Sequence, residues 1–176
     1  MVILCRIFRT EDYQKILEFY KRVDSEYFPM LSERRGGLEG HILTILNNRG
    51  TFVLYEVDGS LKGAAGFFPF DKEKSVVQFT FFTFIKELQN SLAPYRLAKY
   101  LAQKRDELGY SSTKKIIART WYEESADRLE RMGFIQVAAI QGDIIPERTS
   151  YYFEGNLDFI CENIFNRKTV PRKLKQ

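Results

Sequence analysis

The sequence is poor in the residues that build metal centres, disulfide frameworks and histidine-dependent active sites. Its 176 residues include only two cysteines and one histidine. Cys5 and Cys161 are too far apart in the chain for a metal-binding cluster, and two cysteines do not make a secreted disulfide scaffold. A single histidine excludes a histidine-rich metal site. No metal is therefore expected.

Long hydrophobic runs are also missing. The N-terminal apolar run ends at Arg6, which is too short for a signal peptide. The longest other candidate, 76–85, is interrupted by Gln78, Thr80 and Thr83. It falls well short of the roughly 20 apolar residues of a spanning helix. We therefore expect no membrane partner and a cytoplasmic location.

An excess of positive charge is confined to the C-terminus. The formal net charge is +4, but five of the 27 basic residues lie in the last ten positions, 167–176, where there is no acid. The remaining 22 basic residues face 23 acidic ones, so nothing indicates a nucleic-acid partner. The basic tail has two interpretations, a solvated terminus or a binding segment for an anionic partner.

The rest of the composition is that of one soluble globular domain. Hydrophobic residues make up 44% and charged residues 28%, which excludes disorder, and the length suits a single domain. We predict a domain over 1–155. Residues 156–176 are predicted to form a C-terminal helix and the basic tail, either within that domain or as its extension.

Hydrophobic periodicity predicts alternating strands and helices. Strands are predicted at 2–8, 52–57, 61–70, 76–85, 115–120, 134–140 and 148–153. Helices are predicted from Thr10 to Val23, within 32–46 with Ser32 as the cap, at 94–108, at 123–132 and after Asn156. Three meandering strands followed by a βαβ crossover imply an α/β fold, a mixed sheet with helices on both faces.

Glycines mark several predicted turns and close contacts in this pattern. Asp58-Gly59 is a strong signal for a two-residue hairpin turn. Gly63 and Gly66 predict a close approach or a bulge in the returning strand.

This order of elements, with these lengths, resembles the GNAT superfamily of N-acetyltransferases over residues 2–153. The sharpest local signal is the segment 123–134, Glu-Glu-Ser-Ala-Asp-Arg-Leu-Glu-Arg-Met-Gly-Phe, which looks like the family's helix followed by Gly-Phe. The spacing from Gln89 through the helix at Pro94 to Gly109 also fits the family's acetyl-CoA unit.

The resemblance implies transfer of an acetyl or other acyl group from coenzyme A to a primary amine of a small molecule or peptide. Acetyl-CoA would be the acyl donor, with its pyrophosphate on the backbone at the start of the 94–108 helix and its pantetheine arm along the strand at 76–85. The residues implied in binding it are Phe82, Phe84, Gln89, Asn90, Ser91, Leu92, Ala93 and Tyr95.

The phosphate loop departs from the family pattern. Gln89 matches, but Leu92 and Pro94 occupy positions where the family has small residues. Glycine lets backbone approach a phosphate closely, and proline removes an N–H donor. We therefore expect a weaker or differently shaped anion site.

The implied catalytic positions also differ. Gln78 stands where some members have a glutamate; it either orients a water or is a polar residue on a strand face. The position of the family's acid tyrosine falls on Leu129. Tyr122 either replaces that acid or packs beside Trp121.

Other candidates have two interpretations each. His41 is a base or a surface histidine. The phenylalanines line an acyl pocket or form core; they are Phe67, Phe68, Phe70, Phe79, Phe81, Phe82 and Phe84. Tyr151-Tyr152 closes a substrate mouth or finishes an edge strand. An exposed strand edge near the C-terminus would permit a homodimer. The sequence thus predicts either an N-acyltransferase or a degenerate module of the same fold that only binds a ligand or partner.

Overall fold

The structure, a computed structural model, describes residues 2–26, 30–33, 36–143 and 146–166. The basic tail at 167–176 lies outside the described residues, so both interpretations of it stay open.

The described residues form a mixed sheet with helices, which confirms the predicted fold class. The strands are β1 (Ile3–Ile7), β2 (Thr51–Val57), β3 (Ser60–Pro69), β4 (Val76–Phe84), β5 (Lys115–Thr120), β6 (Ile135–Gln141) and β7 (Thr149–Asn156). The helices are α1 (Tyr13–Val23), α2 (Gly37–Asn47), α3 (Ala93–Gln103), α4 (Glu123–Met132) and α5 (Leu157–Asn166). Hydrogen-bonded neighbours follow the order β1-β2-β3-β4-β5-β7-β6, and β4 pairs with β5 in parallel. None of the helices described here is both long enough and apolar enough to cross a membrane.

Contacts divide the chain into two compact units. The first unit comprises 1–69 and 80–101, and the second comprises 70–79 and 102–176. Strand β4 therefore contributes residues to both units. The predicted domain boundary at residue 155 stays a prediction, although α5 packs within the second unit, where the Ile160 side chain lies against Gly155.

In the first unit, α1 and α2 form a core with β2 and β3. The helical spacing of Ile16, Tyr20 and Val23 places these side chains on one face of α1, and each is at most 1% exposed. Ile42 of α2 and Phe52 of β2 complete the same buried cluster. This is the amphipathic pattern that the sequence indicated.

The glycines of the first unit have the predicted roles. Asp58 and Gly59 both have positive φ, +48° and +76°, as the predicted tight hairpin turn requires. Gly63 faces the ring of Phe84, which would lie 2.3 Å from an added Cβ. A side chain at position 63 would therefore displace Phe84.

The predicted start of the first helix is wrong. Residues 10–12 form a short 3-10 turn, and α1 begins at Tyr13. The Asp12 carboxylate accepts hydrogen bonds from the Arg6 guanidinium and from the Arg9 N–H. This contact organises the entry to α1 in place of a cap by Thr10.

The start of the second helix and the end of the third also differ from prediction. The Ser32 hydroxyl hydrogen-bonds to the Asp24 carboxylate rather than capping α2, which begins after Gly36 at φ +91°. Helix α3 ends at Gln103 instead of residue 108. Residues 104–109 form turns instead, and the Arg105 guanidinium donates to the Tyr110 carbonyl at 3.1 Å.

In the second unit, β5 is buried on one face only. Ile116 and Ala118 are buried, whereas Lys115 and Arg119 on the opposite face are exposed. Helix α5 packs on the buried face, because Gly155, the register partner of Ile116, contacts Ile160. We call the opposite side, which carries Lys115 and Arg119, the exposed face.

The edge strand of the second unit is β6, not β7. Strand β7 pairs with both β5 and β6, so the interpretation of Tyr151-Tyr152 as an edge-strand ending is wrong. Ile135, Val137 and Ile140 of β6 are 67%, 54% and 46% exposed. A homodimer through this edge stays a prediction.

Candidate active site

The parallel ladder between β4 and β5 stops before β4 does. Its last register pair is Phe79 with Ala118, whereas β4 continues to Phe84. The ladder therefore does not use the peptide groups of Thr80–Phe84. An extended ligand such as a pantetheine arm can pair with a strand edge of this kind.

A backbone irregularity lies within this extension of β4. Phe81 has φ +55°, a strained value for a residue with a side chain. The Tyr20 hydroxyl donates a 2.6 Å hydrogen bond to the Phe81 carbonyl, and Tyr20 is fully buried. The core of the first unit thus holds the bend in place.

The two phenylalanines predicted to bind the cofactor use their rings for packing. The rings of Phe82 and Phe84 are 5.5 Å apart at 78°, and the ring of Phe84 is 5.5 Å from that of Tyr55. Phe84 is 3% exposed. Contact of Phe84 with a ligand would therefore run through its backbone.

The side chain of Gln89 is committed to protein contacts. Its Nε2 donates to the Phe84 carbonyl at 3.1 Å and to the Glu26 carboxylate. Gln89 thus connects the end of β4 with the loop that precedes α3.

The start of α3 has few donors for a phosphate. The Ser91 N–H donates to the Leu88 carbonyl at 3.1 Å, and the Ala93 N–H donates to the Ser91 hydroxyl at 3.0 Å. Pro94 has no N–H. Helix N-termini bind anions through such N–H groups, so the bonds within this loop leave fewer donors for a pyrophosphate.

The remaining residues of this loop are more accessible. Leu92 is 60% exposed; Asn90 is also exposed, and Tyr95 is half-buried. Arg96 supplies positive charge in the first turns of α3. Burial raises the pKa of the Cys5 thiol to about 11, and the charge of Arg96 opposes that rise.

The two candidate catalytic residues belong to the second unit but lie at different depths. Gln78 pairs with Ile117, and three further residues, roughly 10 Å of strand, separate Ile117 from the end of β5 at Thr120. Tyr122 lies beyond that end, at the N-cap of α4.

Tyr122 lies where a half-buried phenol can face a ligand. Its N–H is 3.2 Å from the Thr120 hydroxyl oxygen, and its carbonyl accepts from the Ala126 N–H at 3.0 Å. Its ring is 6.1 Å from that of Trp121, which is the predicted packing contact. Leu129, at the family's acid position, is 9% exposed and has no proton to donate.

Two arginines lie over aromatic rings of β7 and of the segment that follows β5. The Arg119 guanidinium lies 6.0 Å from the ring centre of Trp121 and 5.9 Å from that of Tyr152. The Arg148 guanidinium lies 5.6 Å from the ring centre of Tyr122. We call these five residues the arginine–aromatic cluster.

Two carboxylates lie at the tyrosines of β7. The Tyr152 hydroxyl hydrogen-bonds to the Asp143 carboxylate, and the Tyr151 hydroxyl is 3.5 Å from the Glu123 carboxylate. Successive residues of a strand point to opposite faces. Tyr152 therefore shares the face of its register partner Arg119, whereas Tyr151 lies on the other face of β7.

The other sequence candidates make different contacts. His41 belongs to α2, with its ring 6.1 Å from that of Phe81 in the first unit. Of the seven phenylalanines, Phe67 and Phe84 are buried core residues, while Phe70 is 65% exposed.

Sequence reasoning missed Tyr20, Arg119 and Arg148. The alternation of β5 placed Arg119 opposite the buried residues, but its stacking partner Tyr152 lies on another strand. No local pattern marks such a pair.

Comparisons with known proteins agree with the fold. No protein-family model matches the sequence, and no curated protein sequence does. Solved structures do match. They include an N-acetyltransferase from Staphylococcus aureus Mu50 (15% identity, TM-score 0.68, covering 89% of this chain and 99% of that chain). They also include yncA from Salmonella typhimurium with acetyl-CoA (14% identity, TM-score 0.69, covering 90% of this chain and 95% of that chain). The spermidine/spermine N-acetyltransferase SpeG from Vibrio cholerae is a third (15% identity, TM-score 0.63, covering 94% of this chain and 99% of that chain).

These likenesses show the fold of this chain. The chain has the fold of the GNAT superfamily of N-acetyltransferases, which confirms the resemblance predicted from the sequence.

Proposed function

We propose that this protein is an N-acyltransferase that moves an acetyl, or another acyl, group from coenzyme A to a primary amine. The observation that carries the proposal is the extension of β4 past its ladder with β5, within a GNAT fold. That extension is the segment along which the resemblance places the pantetheine arm. The acceptor is a small molecule or a peptide, and the location is the cytoplasm.

The proposed reaction is direct attack of the amine on the thioester. Acetyl-CoA supplies an activated acyl carbon, whose bond to sulfur breaks as the bond to nitrogen forms. Backbone N–H groups of β4 orient the donor, and such positioning is a large part of catalysis. Tyr122 is proposed to give its phenol proton to the departing thiolate, and Gln78 to orient a water or to act only as a polar strand residue.

Replacing Tyr122 by phenylalanine should lower kcat by about tenfold. The effect is modest because a thiol with an ordinary pKa of about 8.5 already leaves readily as its thiolate. Backbone atoms of Tyr122 make the cap of α4, so the melting temperature should stay unchanged. Steady-state release of coenzyme A thiol measures kcat.

The matched control for that change is Tyr13→Phe. The Tyr13 hydroxyl bonds to Glu39 at 2.8 Å in the first unit, whereas Tyr122 belongs to the second unit. Equal kcat for the Tyr122→Phe variant and the wild type would remove Tyr122 from the mechanism.

Replacing Leu92 by glycine should tighten coenzyme A binding by about threefold to tenfold, the equivalent of one added hydrogen bond. Leu92 is 60% exposed, so the change removes no core contact and lets the backbone approach a phosphate. Leu92→Ala is the control, because it removes the side chain but keeps a stiffer backbone. Calorimetric titration measures both. Equal affinities for the two variants and the wild type would contradict our interpretation of the loop.

The proposal as a whole is tested by titrating the protein with acetyl-CoA in a calorimeter, with desulfo-CoA as the control. Micromolar binding, followed by thiol release with a panel of amines, is the expected result. Absence of binding at millimolar acetyl-CoA would overturn it.

The alternative is a degenerate module of the same fold that binds a ligand or partner without acyl transfer. The arrangement that favours it is the start of α3, where the Ser91 and Ala93 N–H groups bond within the protein and Pro94 has none. This alternative predicts no thiol release with any amine. A binding role for the basic tail stays a separate prediction.

A further inference from the structure

The exposed face of the second unit carries an arginine that stacks on aromatic rings instead of pairing with an acid. Among the described residues, no carboxylate forms an ion pair with Arg119, and its contacts are with Trp121 and Tyr152. The other cation of this face, Lys115, differs because it pairs with Glu154 at 2.7 Å. Arg119 therefore offers a positive charge to a ligand on an accessible surface.

The guanidinium of Arg119 is held ready for a planar anion. It lies about equally far from the ring centres of Trp121 and Tyr152, 6.0 and 5.9 Å, and stacking on aromatic rings restrains a side chain that would otherwise lose entropy on binding. A guanidinium presents parallel N–H groups that match a carboxylate in a two-bond contact. The ring faces add apolar area beside that contact.

The charges around Arg119 indicate a ligand with both signs. Arg148 adds a second cation over the Tyr122 ring, while the Asp143 carboxylate lies at the hydroxyl of Tyr152, on the face that carries Arg119. This acid would repel a dianion such as phosphate. It would attract an ammonium group, which aromatic faces also favour. The complementary ligand is therefore a zwitterion.

We propose that the arginine–aromatic cluster binds the acceptor and that Arg119 recognises a carboxylate on it, so that the acceptor is a free amino acid or a close analogue. As an acceptor site this rests on the proposed acyltransferase function. The carboxylate binds Arg119, and the ammonium group lies toward Asp143 before it loses a proton to water. The amine then attacks the thioester, and its nitrogen releases a second proton to water as the thiolate leaves.

Trp121 makes binding directly measurable. It is the only tryptophan of the chain, so a change in its fluorescence reports an event at the cluster and does not require turnover. The wild-type protein is titrated with amino acids other than tryptophan and tyrosine, then with the carboxamide and the N-acetyl derivative of each one that binds. We expect saturable binding of the amino acid and about tenfold or greater weakening for the carboxamide.

The decisive variant is Arg119→Gln, and its matched control is Lys115→Gln. Both remove one positive charge from the exposed face of β5. Arg119→Gln should weaken amino acid binding by about tenfold or more and abolish the difference between acid and carboxamide. Lys115→Gln should keep that difference. Inorganic phosphate is titrated as a further probe and should bind no better than the carboxamide.

Several results would overturn the proposal. They are equal binding of acid and carboxamide, an unchanged difference in Arg119→Gln, the same loss in Lys115→Gln, or tighter binding of phosphate than of any amino acid. The outcome also separates this site from the proposed reaction. Amino acid binding without thiol release would sustain the site but defeat the acyltransferase. Thiol release with amines that lack a carboxylate, at the same kcat/KM as with amino acids, would sustain the acyltransferase but defeat the amino acid site.

Discussion

Replacing Arg6 by glutamine is expected to lower the free energy of unfolding by about 3 kcal/mol. The Arg6 guanidinium contacts the Asp12 carboxylate at 2.6 Å and the Glu56 carboxylate at 2.8 Å, and both acidic side chains are only 7% exposed. Lys15 adds one further contact to Glu56 at 2.6 Å. Without Arg6, two carboxylates would be buried with one remaining cation. Urea denaturation measures the change.

Arg9→Gln is the control for this prediction. Arg9 pairs with Glu11 at 3.8 Å, and both side chains are more than 70% exposed, so water screens the pair. The expected loss is about 0.5 kcal/mol or less. Equal losses for Arg6→Gln and Arg9→Gln would show that the Arg6 contacts contribute no more than a surface pair.

The same cluster should make the difference between wild type and Arg6→Gln depend on pH. The Arg6 hydrogen bonds lower the pKa of Asp12. Burial raises the pKa of Glu56, but the bonds from Arg6 and Lys15 outweigh it and leave that pKa lowered. Both groups therefore stabilise the fold above the ordinary carboxyl pKa of about 4, and this contribution is lost as the pH falls through their folded pKa values. The two proteins should converge in stability below about pH 4; a constant difference down to acid unfolding would argue against the ionic origin.

Replacing Gly50 by alanine is expected to cost about 3 kcal/mol of stability. An added Cβ would lie 2.5 Å from the Phe67 carbonyl oxygen and 2.6 Å from that of Ile45. Both atoms belong to the backbone, so no side chain can rotate away. Gly50 also donates its N–H to the Ile45 carbonyl at 2.9 Å, where α2 ends and β2 begins. Thermal and urea unfolding measure the loss.

Gly40→Ala is the matched control, because it adds the same methyl group within α2. Nothing lies within 4 Å of the position that the added Cβ would take, and alanine in a helix is favoured over glycine by about 1 kcal/mol. A gain for Gly40→Ala beside a loss for Gly50→Ala is expected. Two changes of the same sign would mean that the close approach at Gly50 does not govern stability.

The sequence predicted elements well where every signal was local. The bounds of β5, Lys115–Thr120, and of α4, Glu123–Met132, agree with prediction to the residue. A short apolar run, 116–118, between charged residues marks β5. Acids at the first turn of α4 and Gly133 at φ +101° after its last turn mark that helix.

Predictions failed where a distant residue decided the local structure. Thr10 and Ser32 are good capping residues by composition. However, Arg6 binds Asp12 at the start of α1, and Asp24 takes the Ser32 hydroxyl. A polar side chain makes only a few hydrogen bonds. When a residue elsewhere in the chain is its partner, the side chain does not cap the nearby helix.

The candidate site was likewise predicted only in part from the sequence. The resemblance predicted the loop residues 89–95 and Tyr122 by position along the chain. It could not predict that Ser91 occupies the Ala93 N–H, nor that Tyr20 holds the bend at Phe81. These contacts determine how many donors a ligand meets, and they depend on geometry.

The sequence by itself determined the order of the elements, the GNAT resemblance and the turns, because periodicity and turn residues act over a few positions. Only the tertiary structure decided that Arg119 lies beside Tyr152, as their pairing follows from the register of β5 against β7. Strand register depends on many contacts across the sheet at once. The groups that we propose to select the acceptor therefore become neighbours only in the folded chain.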